Sequence, residues 1–521
     1  MRNKKIQRIV IVGGGTAGWL TAAKLAKRFN CRYSQSVQVT LIESPDIPTI
    51  GVGEGTWPTM RKTLMELGVS ESLFMAKCSA TFKQGTRFND WLHEPNEKKR
   101  HHYYHMFSST VDPADFNLAP YWCKHFVESV SDTPLTYADM VTAQAAVCRE
   151  GLAPKLITHR EYDGVLNYAY HLDAGKFAEL LQSHATEVLG VVHIRSNVTQ
   201  VALNDVGDIR HVKLNDEQRI EGDFFIDCSG FRCLLLGEAM GIEFMDMSNQ
   251  LLTDRAIAIQ VPYEDETQNI ACQTNSTAQT AGWIWDIGLY NRRGTGHVYS
   301  SHHLSDDLAE EQLRSYIGDV SAELSAKMIK MRIGYREKFW HKNCVAIGMS
   351  AAFIEPLEAS AIFLIEAAGN MLCELIPETN EQLKSAETIF NHSMLQRWLK
   401  TRDFIKMHYL LSRRSSDFWR DNQSPETVSD SLQAKLERWR YEPMSKYEFD
   451  SVFEPFPQES YQYVFYGMLN EYTDFGTHYF EQQKARSIVL RTQTAQKELS
   501  IQLMNHRDLL TKVYHYGFQK I

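Results

Sequence analysis

The chain has 521 residues, 43% of them hydrophobic and 23% charged, with a formal net charge of −9. That length buries a large core and holds two or three structural units. The acidic balance speaks against a nucleic-acid surface, and no segment approaches the roughly 18 apolar residues of a membrane span. Nine scattered cysteines without a C-x-x-C pair suggest neither a disulfide framework nor a zinc site, so no metal is expected and the thiols read as reduced and cytoplasmic. The basic start imitates a signal peptide, but the apolar run after it is short and stops at three glycines, so it reads as a first strand.

That strand, Arg8 to Val12, runs into Gly13-Gly14-Gly15-Thr16-Ala17-Gly18 and then into a helical pattern from Trp19. In such a G-x-G-x-x-G, Gly13 allows the tight turn, Gly15 lets backbone approach a pyrophosphate, and Gly18 lets helix and sheet pack closely. The helix start, at Thr16 and Ala17, offers unpaired N–H groups to the phosphates. A second hydrophobic run, Val37 to Ile42, ends at Glu43, where a ribose-binding carboxylate is expected. The order strand, glycines, helix, strand, acid predicts a dinucleotide site.

Further along, Val191–Val201 and Arg210–Leu214 read as antiparallel strands joined by the turn-like Asn204 to Asp208. Two more buried strands end in small-residue turns: Asp223 to Gly230, and Asn343 to Ala352 with its Gly348. Three such segments over some 350 positions predict one α/β nucleotide-binding module of discontinuous pieces. This is the plan of a flavin monooxygenase-like FAD-binding fold. After the third, a helix begins either with Pro356 in its first position or with Ser360 as its cap. From about residue 365 the pattern is mostly helical, which divides the chain into an FAD-binding module over 1–365 and a helical unit over 366–521 closing the substrate side. No second G-x-G-x-x-G follows a strand, so electrons are expected from a partner reductase or from the substrate itself.

Trp283-Ile284-Trp285-Asp286-Ile287 forms a W-x-W-x-I element, and Phe353 to Glu358 contains E-P-L-E. With Gly51-Val52-Gly53-Glu54, Gly13 to Gly18 and Phe225 to Gly230, in this order, the chain resembles the flavin-dependent halogenases of the tryptophan-halogenase type, from about residue 6 to about 420. The resemblance implies FAD, used as FADH2 from a separate NAD(P)H-dependent flavin reductase, with Gly13, Gly15, Thr16, Ala17, Gly18, Glu43, Gly53, Glu54 and Gly348 around the cofactor. It implies that Lys83 captures hypohalous acid and that Glu358 orients the electrophile and takes the proton from the arene. Halide would bind backbone amides of Ser360 and Ala361, which favours the Ser360-capped helix. His105 and Phe107 would flank the aromatic ring, while Trp283 and Trp285 would keep substrate away from the flavin.

Each residue also has an ordinary explanation. The tryptophans fit one face of an alternating strand, Lys83 a solvated lysine, Glu358 a helix-dipole acid, and His105 and Phe107 a half-buried aromatic strand. The chain departs from the family pattern at Gly288, where the motif ends in proline, and at Ala359 and Ala361, which replace serine and glycine. Around Phe453 to Tyr463 it is shorter than the segment that clamps free tryptophan. An indole-like, electron-rich arene is therefore the expected substrate, brominated or chlorinated, with a carrier-tethered arene and a homodimer left open. The alternatives are a flavin-dependent monooxygenase or oxidoreductase without halogenating activity, and an inactive flavin-binding relative.

Overall fold

The computed structural model describes residues 4–47, 53–96, 100–108, 116–131, 135–450, 452–469, 475 and 481–519. In chain order, the elements that position the site begin with β1 (Arg8–Val12), α1 (Thr16–Arg28), β2 (Gln38–Glu43), β3 (Gly53–Gly55) and β4 (Thr81–Lys83). There follow β5 (Gly85–Asn89), β6 (His102–Met106), β7 (Ala169–Asp173), β8 (Val192–Arg195) and β9 (Phe224–Asp227). After these come β10 (Thr274–Gln279), β11 (Gly282–Gly288), β12 (Arg292–Tyr299), β13 (Cys344–Ala346), α2 (Ser360–Leu375), α3 (Leu383–Leu410), α4 (Gln458–Met468) and α5 (His506–Tyr516).

The β-branched run of β1 is buried from Ile9 to Val12, as a central parallel strand requires. It lies between β2 and β9 in a six-stranded sheet ordered Trp340–His341, β13, β9, β1, β2, β8. All pairings in it are parallel except that of the Trp340–His341 strand. The three strand-to-turn segments of the sequence are thus neighbours, although β1 and β13 are more than 300 residues apart. Helix α1 packs against α2 and the helix Ala174–Glu187.

Residues 191–201 are not one strand. The stretch splits at Ser196, whose N–H donates to Glu43 O. The first part is β8, alongside β2, and the second, Val198–Leu203, pairs antiparallel with Ile209–Leu214. One apolar run serves two sheets, which periodicity alone does not reveal.

A seven-stranded sheet has the order Ala326–Lys330, Arg255–Pro262, β12, β11, β10, β5, β6. It is antiparallel except where β10 joins β5 in parallel. A smaller antiparallel sheet, β3-β7-β4, packs through β3 against β11 and β12. Beyond α2 the described residues form helices; α4 packs on β6 and α3. Among the described residues no helix is long and apolar enough to cross a membrane, and no group of three or more His, Cys, Asp or Glu is arranged to hold a metal ion.

Candidate active site

At the end of β1, Gly13 has φ +117°, and a Cβ there would lie 2.1 Å from Cys228 O on the neighbouring strand's turn. A Cβ on Gly18 would lie 1.9 Å from Gly13 O. Gly15 differs: among the described residues, a Cβ there meets no atom within 4 Å. Its backbone faces open space at the start of α1, which has neither a side-chain cap nor an acidic residue in its first turn. The leading N–H groups, with Thr16 and Ala17 at the first positions, therefore remain available to an anion.

Glu43, ending β2, sits over Gly14, and its Oε2 is 2.9 Å from His193 Nε2. Gly348 turns the chain after β13, where its Cβ would come 2.8 Å from Ala17 Cβ, so the third turn abuts the same helix start. On β3, Gly53 packs against Gly294 of β12, and burial pushes the Glu54 carboxyl up to about 7. Gly51 and Val52 of the same motif lie outside the described residues. Open backbone, free helix N–H groups and a strand-end carboxylate together fit a flavin dinucleotide.

The centre lies where β3, β4 and the start of α2 converge. Lys83 ends β4 and is 1% exposed, which removes it from the surface lysines. A Cβ on Gly55 would come 2.9 Å from Lys83 Nζ and 3.4 Å from Ala359 Cβ, so only glycine leaves room for the amine beside α2. Lys83 Nζ is 5.3 Å from the Phe107 ring centroid. Burial pushes the amine down to about 8, with the Glu358 carboxylate opposing that shift.

Glu358 lies two residues before α2, next to its cap, rather than in its first turn, and it is buried. His105 Nδ1 approaches its Oε2 at 3.0 Å, and His408 Nε2 approaches its Oε1 at 3.0 Å. The far nitrogens are also engaged: His105 Nε2 lies 2.9 Å from Ser460 Oγ, and His408 Nδ1 lies 2.6 Å from Tyr103 OH. Burial opposes the charge on Glu358, but the two imidazoles outweigh it and hold the carboxyl down to about 2. The carboxylate is thus fully ionised at neutral pH. Trp57 fixes its backbone, the indole N–H donating to Glu358 O at 2.8 Å. Trp57 also stacks on Phe363 and meets Phe456 edge-on.

Helix α2 begins at Ser360. Its cap is Ala359, in the left-handed region at φ 52°, so Ser360 is the first helical residue and not the cap expected from sequence. Ala359 closes a turn there, its N–H donating to Pro356 O at 3.0 Å. No side chain caps α2 and no acid occupies its first turn. The amides of Ser360 and Ala361 thus open onto the centre; Ser360 Oγ is buried without a hydrogen-bond partner, while Ala361 is exposed. This suits a small anion.

Lys83, Phe107, His105, Glu358 and the start of α2 are brought together. Trp283 and Trp285 stand on one face of β11, ring centroids 6.4 Å apart, and Trp283 connects to the carboxylate through Trp91 and His408. His105, expected from sequence to flank an aromatic ring, lies within hydrogen-bond distance of Glu358. Sequence reasoning missed Tyr103, His408, Ser460, Trp57 and Gly55. Of these only Gly55, adjoining the Gly53-Glu54 motif, carried a local signal.

The family model for tryptophan halogenases matches residues 8–476. The tryptophan 6-halogenase SttH of Streptomyces toxytricini is 35% identical over 491 residues, covering 90% of each chain. The crystal structure of a tryptophan halogenase from Shewanella frigidimarina superposes with a TM-score of 0.95 at 43% identity, covering 99% of each chain. BrvH, a flavin-dependent halogenase from Brevundimonas, matches with a TM-score of 0.84 at 32% identity, over 97% of this chain and 99% of its own. Together with the glycine cradle at the end of β1 and the buried lysine and clamped carboxylate at the start of α2, these matches make the chain a member of the tryptophan halogenase family, a flavin-dependent halogenating oxidoreductase.

Proposed function

We propose that this enzyme brominates or chlorinates a small, electron-rich arene of the indole type, using FADH2 from a separate NAD(P)H-dependent flavin reductase. The observation that carries the reading is the pairing of a buried Lys83 amine with a buried, ionised Glu358 beside the Phe107 ring. Reduced flavin, dioxygen and halide supply hypohalous acid when the cofactor is bound. Gly13, Gly15, Gly18 and Glu43 would hold that cofactor, and the amides of Ser360 and Ala361 the halide.

Lys83, mostly ammonium at neutral pH with its amine near about 8, hydrogen-bonds the hydroxyl of hypohalous acid. As the arene carbon bonds the halogen, the oxygen–halogen bond breaks and the oxygen leaves as water with a proton from Lys83. Glu358 removes the ring proton and restores aromaticity, and a proton then returns to Lys83. Hypohalous acid and arene thus give haloarene and water. His105 and His408 keep Glu358 charged until the proton arrives.

The substrate assignment is supported by the segment after α3. Glu454 is already paired with Lys400 Nζ at 3.0 Å and accepts from Tyr461 OH at 3.1 Å, so it is not free for a substrate ammonium. Burying an unpaired ammonium and carboxylate would cost several kcal/mol.

Mass spectrometry of products tests this, using purified protein, FAD, NADH, an added flavin reductase, and bromide or chloride. Indole should gain one halogen at C3, bromide being accepted at least as readily as chloride, with a higher kcat/KM than tryptophan. Lys83→Ala should abolish product, and Glu358→Gln should slow it by about a hundredfold or more. Efficient halogenation of tryptophan's benzo ring would overturn the substrate; absence of halogenated product from every arene would overturn the reaction.

A further inference from the structure

Strand β4 pairs with β7 along one side only, and alternate backbone groups on its other side need partners elsewhere. There the Phe82 N–H donates to Nε2 of His506, the first residue of α5, at 3.2 Å. On the same ring, Nδ1 is 3.0 Å from Ile270 O, which can only accept. Nδ1 therefore carries the proton and Nε2 offers its lone pair to Phe82. A ring that must accept at one nitrogen and donate at the other works only as the neutral imidazole. His506 is fully buried, and burial lowers its pKa to about 4 against the opposing bond to Ile270.

Two neighbouring contacts complete the outer side of β4: Thr81 Oγ1 donates to Gly288 O, and the Gln84 N–H donates to Cys272 O at 2.8 Å. A Cβ on Gly288 would come 2.7 Å from Ile270 Cγ2. The residue that departs from the family's proline thus makes room for the very side chain whose carbonyl orients His506. The turn after β11, the stretch at Ile270 and the start of α5 form one packed clamp on the lysine strand.

We propose that His506 is a positioning residue for Lys83: its neutral imidazole, bridging Ile270 O and the Phe82 N–H, holds β4 so that the amine stays between Gly55, Ala359 and Glu358. This rests on the halogenation reading. A β4 freed at Phe82 lets the amine drift from the carboxylate, and hypohalous acid that is not held escapes into solution.

His506→Phe keeps the ring and removes the acceptor, whereas the side-chain oxygen of His506→Gln can restore the bond to Phe82. In the full-length chain, hydrogen exchange across β4 should rise about tenfold in His506→Phe and stay near the parent rate in His506→Gln. With FAD, flavin reductase, bromide and indole present, bromoindole per reduced flavin consumed should fall about tenfold in His506→Phe. A scavenger in solution, monochlorodimedone, should then be brominated instead, and His506→Gln should reverse the leak. If His506→Phe does not accumulate as folded protein, His506→Leu takes its place. Parent-like exchange and coupling without the acceptor would overturn the proposal, and so would equal impairment of the Phe and Gln variants. A parent enzyme that halogenates nothing overturns the halogenation reading instead, while exchange across β4 still reports whether His506 holds the strand.

Discussion

Tyr103 decides which nitrogen of His408 faces Glu358. Burial pushes its phenol far above the usual value, so the hydroxyl keeps its proton and donates it to Nδ1. That leaves the ring proton on Nε2, 3.0 Å from the carboxylate. Tyr103→Phe releases this tautomer and removes part of the support for the charge. The Glu358 carboxyl should then rise from about 2, and because only its ionised form accepts the ring proton, activity in the variant should fail at a higher pH as acid is added. At the alkaline end, loss of the Lys83 proton near about 8 should make kcat fall as pH rises through that value. Profiles of kcat from pH 4 to 10 for the two proteins check both limbs; a limb that rises through 8 would mean that the neutral amine is the working form. Glu358 stands out in the sequence as the end of the E-P-L-E element, and Lys83 through the family resemblance alone. Tyr103, His408 and His506 are not, because an imidazole bonded to a partner hundreds of residues away leaves no periodicity or spacing behind.

At the scale of elements, the three glycines of the β1–α1 turn separate by what a side chain would meet. Gly13 and Gly18 face backbone carbonyls at about 2 Å, so their task is packing, whereas Gly15 faces no atom of the described residues. Gly15→Val should therefore melt close to the parent temperature yet lose flavin affinity by at least about tenfold. Gly18→Ala should lower the melting temperature. Flavin fluorescence titration and thermal melting distinguish the two, and unchanged flavin affinity in Gly15→Val would remove the phosphate role. The β1–α1–β2 unit was readable because strand, turn and helix are local and each obeys its own period. The 191–201 stretch was misread because its break follows from a distant bond, Ser196 N–H to Glu43 O. The start of α2 was misread by one residue because Ala359 takes a left-handed conformation, its N–H donating to Pro356 O, and an alanine gives no local signal of that.

Across the whole molecule, several histidines are sealed inside in their neutral form. Burial lowers His171 and His408, and takes His297 and His506 to about 4, all below the ordinary 6.5. In the unfolded chain these rings would bind protons from about pH 6.5 downward. Their contribution to stability is therefore complete above 6.5 and is lost as pH falls toward 4, by about 3 kcal/mol each for His297 and His506. Circular-dichroism melting between pH 7 and pH 4 should show a steep fall in Tm, and His297→Gln should make that fall shallower. The sheet architecture followed from the sequence as a class, since buried β-branched strands ending in glycine turns imply a parallel nucleotide-binding sheet. The parallel joint between β10 and β5 carries no local signature and did not.

The bonds of the catalytic centre also set an order of events. His105 and Glu358 are 253 residues apart in the chain, and Phe82 and His506 are 424 apart. Closing loops of that length costs entropy before any contact rewards it, so such pairings form late in folding. The nucleotide cradle of β1, α1 and β2 is local and can form early. An incompletely folded chain would have the means to attract flavin but no lysine beside a carboxylate. Assembly of the Lys83–Glu358 centre is thereby tied to completion of the fold.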